Sequence, residues 1–411
     1  MDLRSVGVEE ELLLVEPHTG RPRAMAGTIL DAARQADSGP DGDPGGATAP
    51  DAAEALESEL QLQQLETNTR PCHTLDELGR EIRRCRLLAA DAAGRAGVQV
   101  AALGTSPVVV EPELTGSSRY QKMAEAFGLT ADEQLTCGCH VHVQTSSAEE
   151  GVAVLDRIGP WLAVLLALSA NSPFWQGRDS AYASFRYQAW GRWPCAGPTG
   201  VFGSARAYQD TVRQMVRTGT VLDSGMIYFD ARLSERYPTL EIRIADVCLR
   251  ADDAVLIAAL ARALVETEAR AWRQGRPAPQ VRPELLRLAG WRASRSGLDD
   301  VLLHPATGLP EQSAAVVGLL LDHVGDALAD TGDTDTVNDL LAAVLQRGNG
   351  AAFQRSAYRR SGSLTEVVSS AAAATTAIQE ELQTAGEPQR LLGGLPTPAN
   401  RKTAKVESTW T

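Results

Sequence analysis

Two glutamates near the start of the chain could bind a metal ion together. Residues 7–15 read Gly-Val-Glu-Glu-Glu-Leu-Leu-Leu-Val, an acidic triplet inside an apolar pattern typical of a β-strand. Side chains alternate faces along a strand, so Glu9 and Glu11 project together while Glu10 points to the opposite face. A buried carboxylate is costly unless a cation meets it. The spacing therefore favours a hard metal ion beside Glu9 and Glu11, and a strand end with solvated glutamates is the alternative.

A second pair of carboxylates follows in residues 57–69, where polar and apolar residues alternate until Gln63 and Gln64. At that point the phase slips by one residue, as a β-bulge would make it slip. A bulge would place Glu59 and Glu66 on the same face of one strand in spite of their odd spacing. We therefore predict a second acidic strand face, and an ordinary strand with a polar outer face is the alternative.

Residues 135–144 contain the spacing Cys-x-Cys-His-x-His, which resembles a zinc site. In a strand, however, Cys137 and Cys139 share one face and His140 and His142 share the other, so thiols and imidazoles cannot meet at one tetrahedral ion. We predict that the cysteines belong to the core and that the histidines extend the polar face. Hydrogen-bonded structural histidines are the alternative.

An antiparallel strand pair is predicted over residues 226–232 and 239–246. In the second strand Leu240 and its alternate neighbours face the core, so Glu241 and Arg243 share the opposite face. This strand therefore adds one more carboxylate and a fixed positive charge one step along the strand.

The segment 172–194 is unusually rich in aromatic and arginine residues, with three of the seven tryptophans and three arginines. Aromatic walls with planar guanidinium groups suit an organic anion, because arginine can bind a carboxylate through two parallel hydrogen bonds. We assign Tyr182, Arg186 and Trp190 to a substrate pocket, together with His142. A packed loop with arginines stacked on aromatic rings is the alternative.

Taken together, the strands supply six candidate metal ligands: Glu9, Glu11, Glu59, Glu66, His140 and Glu241. Six ligands are too many for one small cation and suit two or three Mg²⁺ or Mn²⁺ ions with oxygen-rich coordination. Such a cluster implies a polyphosphate substrate, namely ATP. The sequence has no Walker lysine loop and no dinucleotide glycine fingerprint, so the nucleotide would depend on metals held over a sheet.

Helices and short connections must position these strands. Loop 38–50, rich in Gly, Pro and Asp, is either a lid or an idle surface loop. We predict a buried strand over 98–103 and helices over 25–35, 74–96, 158–171, 251–272 and within 283–385. Residues 1–385 would form a single catalytic domain, and residues 386–411 an extended C-terminal tail.

Composition excludes several classes of protein. The 411 residues carry a formal charge of −13, which disfavours a nucleic-acid surface. The longest apolar run, residues 161–170, is far shorter than the roughly 20 residues that cross a bilayer. Six irregularly spaced cysteines fit reduced, buried thiols. With no leader pattern at the N-terminus, we expect a cytoplasmic protein without nucleic-acid or membrane partners, and a homodimer stays open.

These stretches resemble the carboxylate–amine ligase family of glutamate–cysteine ligase type 2. The resemblance covers most of residues 3–380 and rests on the motifs at 7–11, 59–66, 138–143, 172–194, 228–230 and 241–243. It implies an α+β, glutamine synthetase-like fold, in which an antiparallel sheet curved into a half-barrel holds ATP and divalent metals, with helices outside. It also implies that the six candidates are metal ligands and that Arg243 lies against the transferring phosphoryl group. Ser180-Ala181 stands where the family more often has Thr-Gly.

The implied reaction activates a small carboxylic acid with ATP and joins it to an amine. Phosphoryl transfer to the carboxylate gives an acyl phosphate, and attack by the amine gives an amide, ADP and phosphate, with weak glutamate–cysteine ligase activity as one expectation. No nucleophilic side chain is needed, in agreement with the absence of a nucleophile motif. Two alternatives are a metal-dependent small-molecule kinase on the same fold and a non-catalytic small-molecule binding protein.

Overall fold

A computed structural model describes residues 3–37 and 55–377 of the chain. The strands are β1 (Val6–Val15), β2 (Leu56–Ser58), β3 (Gln64–Asn68), β4 (Gln99–Ala101), β5 (Cys139–Gln144), β6 (Phe174–Trp175), β7 (Arg178–Asp179), β8 (Ala231–Leu233), β9 (Thr239–Ile242), β10 (Val301–Leu303) and β11 (Pro310–Gln312). The helices are α1 (Ala26–Asp37), α2 (Leu75–Arg95), α3 (Ser118–Phe127), α4 (Leu129–Asp132), α5 (Ala148–Ser169), α6 (Phe185–Trp190), α7 (Ala205–Arg217), α8 (Ala251–Arg273), α9 (Pro283–Ser296), α10 (Ser313–Thr331), α11 (Thr334–Arg347), α12 (Gly350–Ser361) and α13 (Leu364–Thr376).

The main sheet is antiparallel and open, with the strand order β2-β3-β1-β5-β9-β8 and β4 paired to β1. The long strand β1 lies at its centre, since it pairs with β3 along one edge and with β5 and β4 along the other. Apolar residues of β1, β5 and β9 pack against α2, α5 and α8 in the largest hydrophobic cluster. The predicted α+β architecture of an antiparallel sheet with helices on one side is confirmed.

A buried ion pair fixes which face of β1 is the core face. Both oxygens of Glu10 accept hydrogen bonds from Arg86 of α2, at 2.7 and 2.8 Å, and both side chains are buried. Arg86 also donates to the carbonyl oxygens of Cys248, Leu249 and Thr375. The cation that the Glu10 carboxylate requires is therefore supplied by the protein, and Glu9 and Glu11 are left on the other face.

Helix α2 begins as its sequence predicts. Thr74 and Glu77 form a reciprocal capping box at its first turn. Helix α5 begins earlier than predicted, at Ala148 with Ser147 as its cap, and continues through Pro160 to Ser169. The prediction over 158–171 therefore missed the first ten residues of this helix. By length and composition α5 could span a membrane, but 83% of its apolar window is buried within the fold.

The bulged strand predicted over residues 57–69 is wrong. The chain forms two antiparallel strands, β2 and β3, and reverses between them. Gln61 and Gln63 occupy the turn, where their side-chain amides donate to the distant carbonyl oxygens of Ala131 and Glu111. Periodicity does not distinguish a bulge from a tight turn whose polar side chains are satisfied by distant segments.

Other boundaries also differ from the prediction. The strand expected over 226–232 is a 3₁₀ turn at Ser224–Met226 followed by the short strand β8. Segment 172–194 holds the hairpin β6–β7 and helix α6, rather than a continuous loop. Residues 38–50 and the tail 386–411 fall outside the described residues, as does the domain boundary predicted at residue 385.

Candidate functional site

A cavity of about 500 Å³ lies over the face of the sheet that carries Glu9 and Glu11. Its lining includes all six carboxylate and histidine residues that the sequence marks as metal ligands. They are Glu9, Glu11, Glu59, Glu66, His140 and Glu241. His142, Trp190 and Arg243 line the same cavity.

The register of the sheet brings these residues together. Glu9 lies opposite His140 on β5, and Glu11 lies opposite Glu66 on β3. His142 lies opposite Glu241 on β9. Residues directly opposite on antiparallel strands project to the same face at short distance, so the period-two pattern of four strands gives one polar surface.

Glu11, Glu59 and Glu66 form an all-carboxylate cluster. One oxygen of each lies within 4.8 Å of the others. Burial, and next the charge of Glu59, raise the pKa of Glu11 to about 7, although the Gly138 N–H donates to it at 2.5 Å. Burial and the neighbouring carboxylates also raise the pKa of Glu66 well above its usual range. The groups around this cluster thus supply too little positive charge for three ionised carboxylates, which is the environment that a divalent cation requires.

Glu9, His142 and Glu241 form a second cluster, again with one ligand atom of each within 4.8 Å of the others. His142 Nε2 lies 3.0 Å from Glu9 Oε1, and His140 Nδ1 lies 3.4 Å from Glu9 Oε2. Burial acts to raise the pKa of Glu9, but the hydrogen bonds and charges of the two imidazoles hold it below its usual range. His142, which the sequence assigns to the substrate, therefore lies among the groups that could hold a metal ion.

The histidine nitrogens facing this cavity fit metal coordination. The Nε2 atom of His140 is buried and has no hydrogen bond within the described residues, whereas Nε2 of His142 lies 3.0 Å from Glu9. Burial and the charge of Arg243 lower the pKa of His140 to about 4, so its ring is neutral at pH 7. A neutral imidazole with an unpartnered nitrogen is the form that binds a metal ion.

Two arginines hold Glu241. Arg232 donates to it at 2.7 and 3.2 Å, and Arg243 forms a short ion pair with the same carboxylate. Burial acts to raise the pKa of Glu241, but the charges of Arg243 and Arg232 outweigh burial and hold the pKa at about 2. Sequence analysis missed Arg232, although counting back from the hairpin turn pairs it with Glu241.

Two buried arginines lie close to the indole of Trp190. The guanidinium carbons of Arg186 and Arg243 lie 5.8 and 5.9 Å from its ring centre, within the range of a cation–π contact. Arg186 and Trp190 are four residues apart on α6, so they project from the same side of that helix. Trp190 thus forms a wall of the cavity beside Arg243.

Arg186 and Tyr182 do not line the cavity. Arg186 is buried behind its wall, 4.0 Å from Asp246 and against Gly138, where a Cβ atom would collide with the guanidinium. Tyr182 precedes α6 and packs against Phe185 on the outer side. Our assignment of both to a loop facing the substrate did not anticipate that a helical turn begins at residue 185 and changes their directions.

The cysteines of the Cys-x-Cys-His-x-His segment lie on the core face. Cys137 and Cys139 are fully buried, and Cys137 accepts a hydrogen bond from Gln64 at 3.4 Å. The described groups with metal-binding geometry consist of glutamate and histidine residues.

The mouth of the cavity carries charged groups that sequence analysis did not single out. Arg119 of α3 forms two hydrogen bonds with Asp223, at 2.7 and 2.9 Å, across one side of the opening. Arg236, at the tip of the β8–β9 hairpin, is 77% exposed and lies 4.0 Å from Glu57. No strand or helix periodicity marks residues in such rim positions.

The chain is similar to one protein family along almost all of its length. The family model described as glutamate–cysteine ligase family 2 matches residues 5–373. A Streptomyces avermitilis protein provisionally named glutamate–cysteine ligase 2-1 is 56% identical over 366 residues, which cover 89% of this chain and 98% of that protein. A Streptomyces coelicolor protein provisionally named glutamate–cysteine ligase 2 is 53% identical over 375 residues, covering 91% and 100%.

Solved structures share the fold at low sequence identity. A glutamate–cysteine ligase from Francisella tularensis in complex with AMP has a TM-score of 0.63 at 13% identity, covering 92% of this chain and 90% of that one. A bifunctional glutathione synthetase from Pasteurella multocida has a TM-score of 0.63 at 15% identity, covering 91% of this chain and 52% of that one. The family match and the close relatives confirm the resemblance: the chain belongs to glutamate–cysteine ligase family 2 and is an ATP-dependent carboxylate–amine ligase.

Proposed function

We propose that this ligase activates L-glutamate with ATP and joins it to the amine of L-cysteine, with Mg²⁺ or Mn²⁺ held by the two clusters. The names of its close relatives support the substrates. The observation that carries the proposal is the pair of ligand clusters, Glu11/Glu59/Glu66 and Glu9/His142/Glu241, side by side in one cavity. We further propose a cytoplasmic location, where ATP and reduced cysteine are available.

The donor atoms suit divalent ions of the hard type. The all-carboxylate cluster offers only oxygen, as Mg²⁺ prefers, and the second cluster adds an imidazole that Mn²⁺ also accepts. His140 lies between the clusters, 3.4 Å from Glu9 and 3.9 Å from Glu11, and can serve either ion. When bound, these ions would neutralise the phosphate oxygens of ATP and orient its terminal phosphoryl group.

Arg243 is the residue we assign to the transferring phosphoryl group. It lines the cavity, is fixed by Glu241 and lies over Trp190, so its guanidinium is oriented before substrate arrives. A fixed positive charge beside the equatorial oxygens stabilises the transition state without reorganisation. Arg232 would act through Glu241 by holding that carboxylate in place.

The two steps require no covalent attachment to the protein. A carboxylate oxygen of the acid attacks the terminal phosphorus of ATP, the bond to the bridging oxygen breaks, and ADP leaves. The amine then attacks the acyl carbon, phosphate leaves with one oxygen of the former carboxylate, and the amine loses a proton. The cavity would orient both partners and limit the access of water to the acyl phosphate.

His142 and Trp190 are the sequence-assigned substrate residues that line the cavity. Arg186 is buried, and its charge lowers the pKa of Glu11. We therefore propose that Arg186 supports the acidic cluster from behind, and that the substrate carboxylate is bound by residues of the cavity itself.

A screen of acid and amine pairs tests this function. The full chain with ATP and Mg²⁺ should release ADP and phosphate and form an amide, identified by mass, with glutamate and cysteine among the productive pairs. Glu66→Gln should abolish turnover, whereas the control Glu125→Gln, on an exposed position of α3, should retain it. A phosphorylated acid as the final product would indicate a kinase instead, and no ADP with any pair would contradict catalysis.

A further inference from the structure

A second cavity, of about 230 Å³, shares Trp190 as a wall residue with the cavity that holds the two clusters. The residues of its wall that matter here are Tyr187, Trp190, Asp230, Arg287 and Trp291. Drug-sized ligands occupy pockets of roughly 300–1,000 Å³, so this cavity suits a smaller molecule. Two arginines, one carboxylate and aromatic rings line it, and one of the arginines, Arg192, is already paired with Glu133.

Arg287, on α9, supplies the cation. It is exposed, and within residues 3–37 and 55–377 it has neither a hydrogen bond nor an ion pair. Its guanidinium lies against Gly197, where an added Cβ would be only 3.2 Å from Nη2. Gly197 also has φ +113°, which favours glycine. The backbone at Gly197 thus leaves room for the guanidinium group of Arg287. No carboxylate of the described residues pairs with this group.

Asp230 supplies the carboxylate. It is buried and accepts a hydrogen bond from the Tyr187 hydroxyl at 3.2 Å. Burial raises its pKa to about 7, although Tyr187 and the more distant charge of Arg287 act in the opposite direction. Asp230 and Arg287 therefore line one cavity without forming an ion pair with each other.

We propose that this second cavity binds an α-amino acid, with the ligand carboxylate on Arg287 and the ligand ammonium group on Asp230. A guanidinium can donate two parallel N–H groups to a carboxylate, and an ammonium group supplies the positive charge that buried Asp230 lacks. Trp190, Trp291 and Tyr187 would enclose the side chain of the ligand.

The shared wall connects this site to the catalytic cavity. Trp190 lines both cavities and lies over the guanidinium of Arg243. A ligand that packs against the indole from the second cavity would restrict the ring, and with it the position of Arg243. The site can therefore take either the amine substrate before it reaches the acyl phosphate or an amino-acid effector of the reaction.

Binding to the full chain, without ATP or metal, tests the proposal. Each of the twenty protein L-amino acids is titrated singly, with tryptophan fluorescence and calorimetry as readouts. At least one should bind, and Arg287→Ala and Asp230→Asn should each weaken it roughly tenfold to a hundredfold, the usual scale for one charged hydrogen-bonded partner. Arg282→Ala, at the N-cap of the same helix but outside the cavity, should bind like the wild type.

Analogues of the bound amino acid test the roles of its carboxylate and of its ammonium group separately. Binding of the carboxamide of that amino acid should no longer depend on Arg287. Binding of the corresponding α-hydroxy acid should no longer depend on Asp230. Glu66→Gln, in the acidic cluster, should leave binding unchanged. Failure of every amino acid to bind, or binding that persists in Arg287→Ala and disappears in Glu66→Gln, would overturn the assignment.

Product analysis then distinguishes an amine substrate from an effector. An amino acid that binds this cavity and is incorporated into the amide is the amine substrate. One that binds and changes kcat without incorporation is an effector. Both results rest on the binding test, so they can be judged even if glutamate and cysteine are not the substrates.

Discussion

Glu11→Gln should have opposite effects on stability with and without metal. Burial and Glu59 raise the pKa of Glu11 to about 7 in the metal-free fold, from its ordinary value of 4.5. The folded state therefore binds the proton more tightly than the unfolded state, and this contribution to stability is lost as the pH rises from about 4.5 through 7. At about 1.4 kcal/mol for each pKa unit, the ionised glutamate costs the metal-free fold about 3 kcal/mol above pH 7.

Glutamine has no charge, so the variant should not lose this stability as the pH rises. Metal-free Glu11→Gln should match the wild type below pH 4.5 and be more stable by up to about 3 kcal/mol above pH 7. Mg²⁺ at about 1,000 times its Kd should reverse the order, because it stabilises the fold that binds it by about 4.1 kcal/mol, more than the ionised glutamate costs. Mg²⁺ should stabilise the variant much less, because the variant lacks one ligand of the acidic cluster.

Urea unfolding between pH 4.5 and 8, in EDTA and in Mg²⁺, measures both effects. Glu125→Gln controls for the removal of a surface charge and should follow the wild type under all conditions. The reasoning is refuted if metal-free Glu11→Gln is less stable than the wild type at pH 8, or if Mg²⁺ stabilises the two proteins equally.

Three further predictions concern other parts of the fold. Arg243→Ala should lower kcat by about 100-fold or more with little change in the KM of the acid, because it removes a charge that acts on the transition state; a change confined to KM would contradict this role. Cys137→Ser and Cys139→Ser should retain metal content and turnover, since both thiols lie in the core, and zinc lost with either substitution would contradict the strand alternation. Ala181→Gly should raise the free energy of unfolding by about 1 kcal/mol, because Ala181 has φ +62°; a lower midpoint of urea unfolding would contradict the strain.

Strand faces were predictable from the sequence, because the period of two follows from the pleat alone. That period placed Glu9 with Glu11, and Glu241 with Arg243, before any tertiary contact was known. It did not reveal where the chain turns: Glu59 reaches the acidic cluster from a hairpin rather than from a bulged strand.

Residues brought in by helices and by distant segments were not predictable in this way. The direction of Arg186 depends on a helix that begins one residue before it, and short helices carry weak periodic signals. Arg287 and Asp230 line one cavity only because α9 packs on α5 and α6. Proximity of this kind follows from tertiary packing and leaves no pattern in the local sequence.

The most direct test of the account follows an oxygen atom from the acid to phosphate. The acid of a productive pair is labelled with ¹⁸O in its reacting carboxylate, and the phosphate and amide products are analysed by mass. Activation through an acyl phosphate predicts that each phosphate released with an amide carries one ¹⁸O atom. Unlabelled phosphate, formed together with an amide, would show that ATP does not activate the carboxylate and would contradict the proposed role of the cavity.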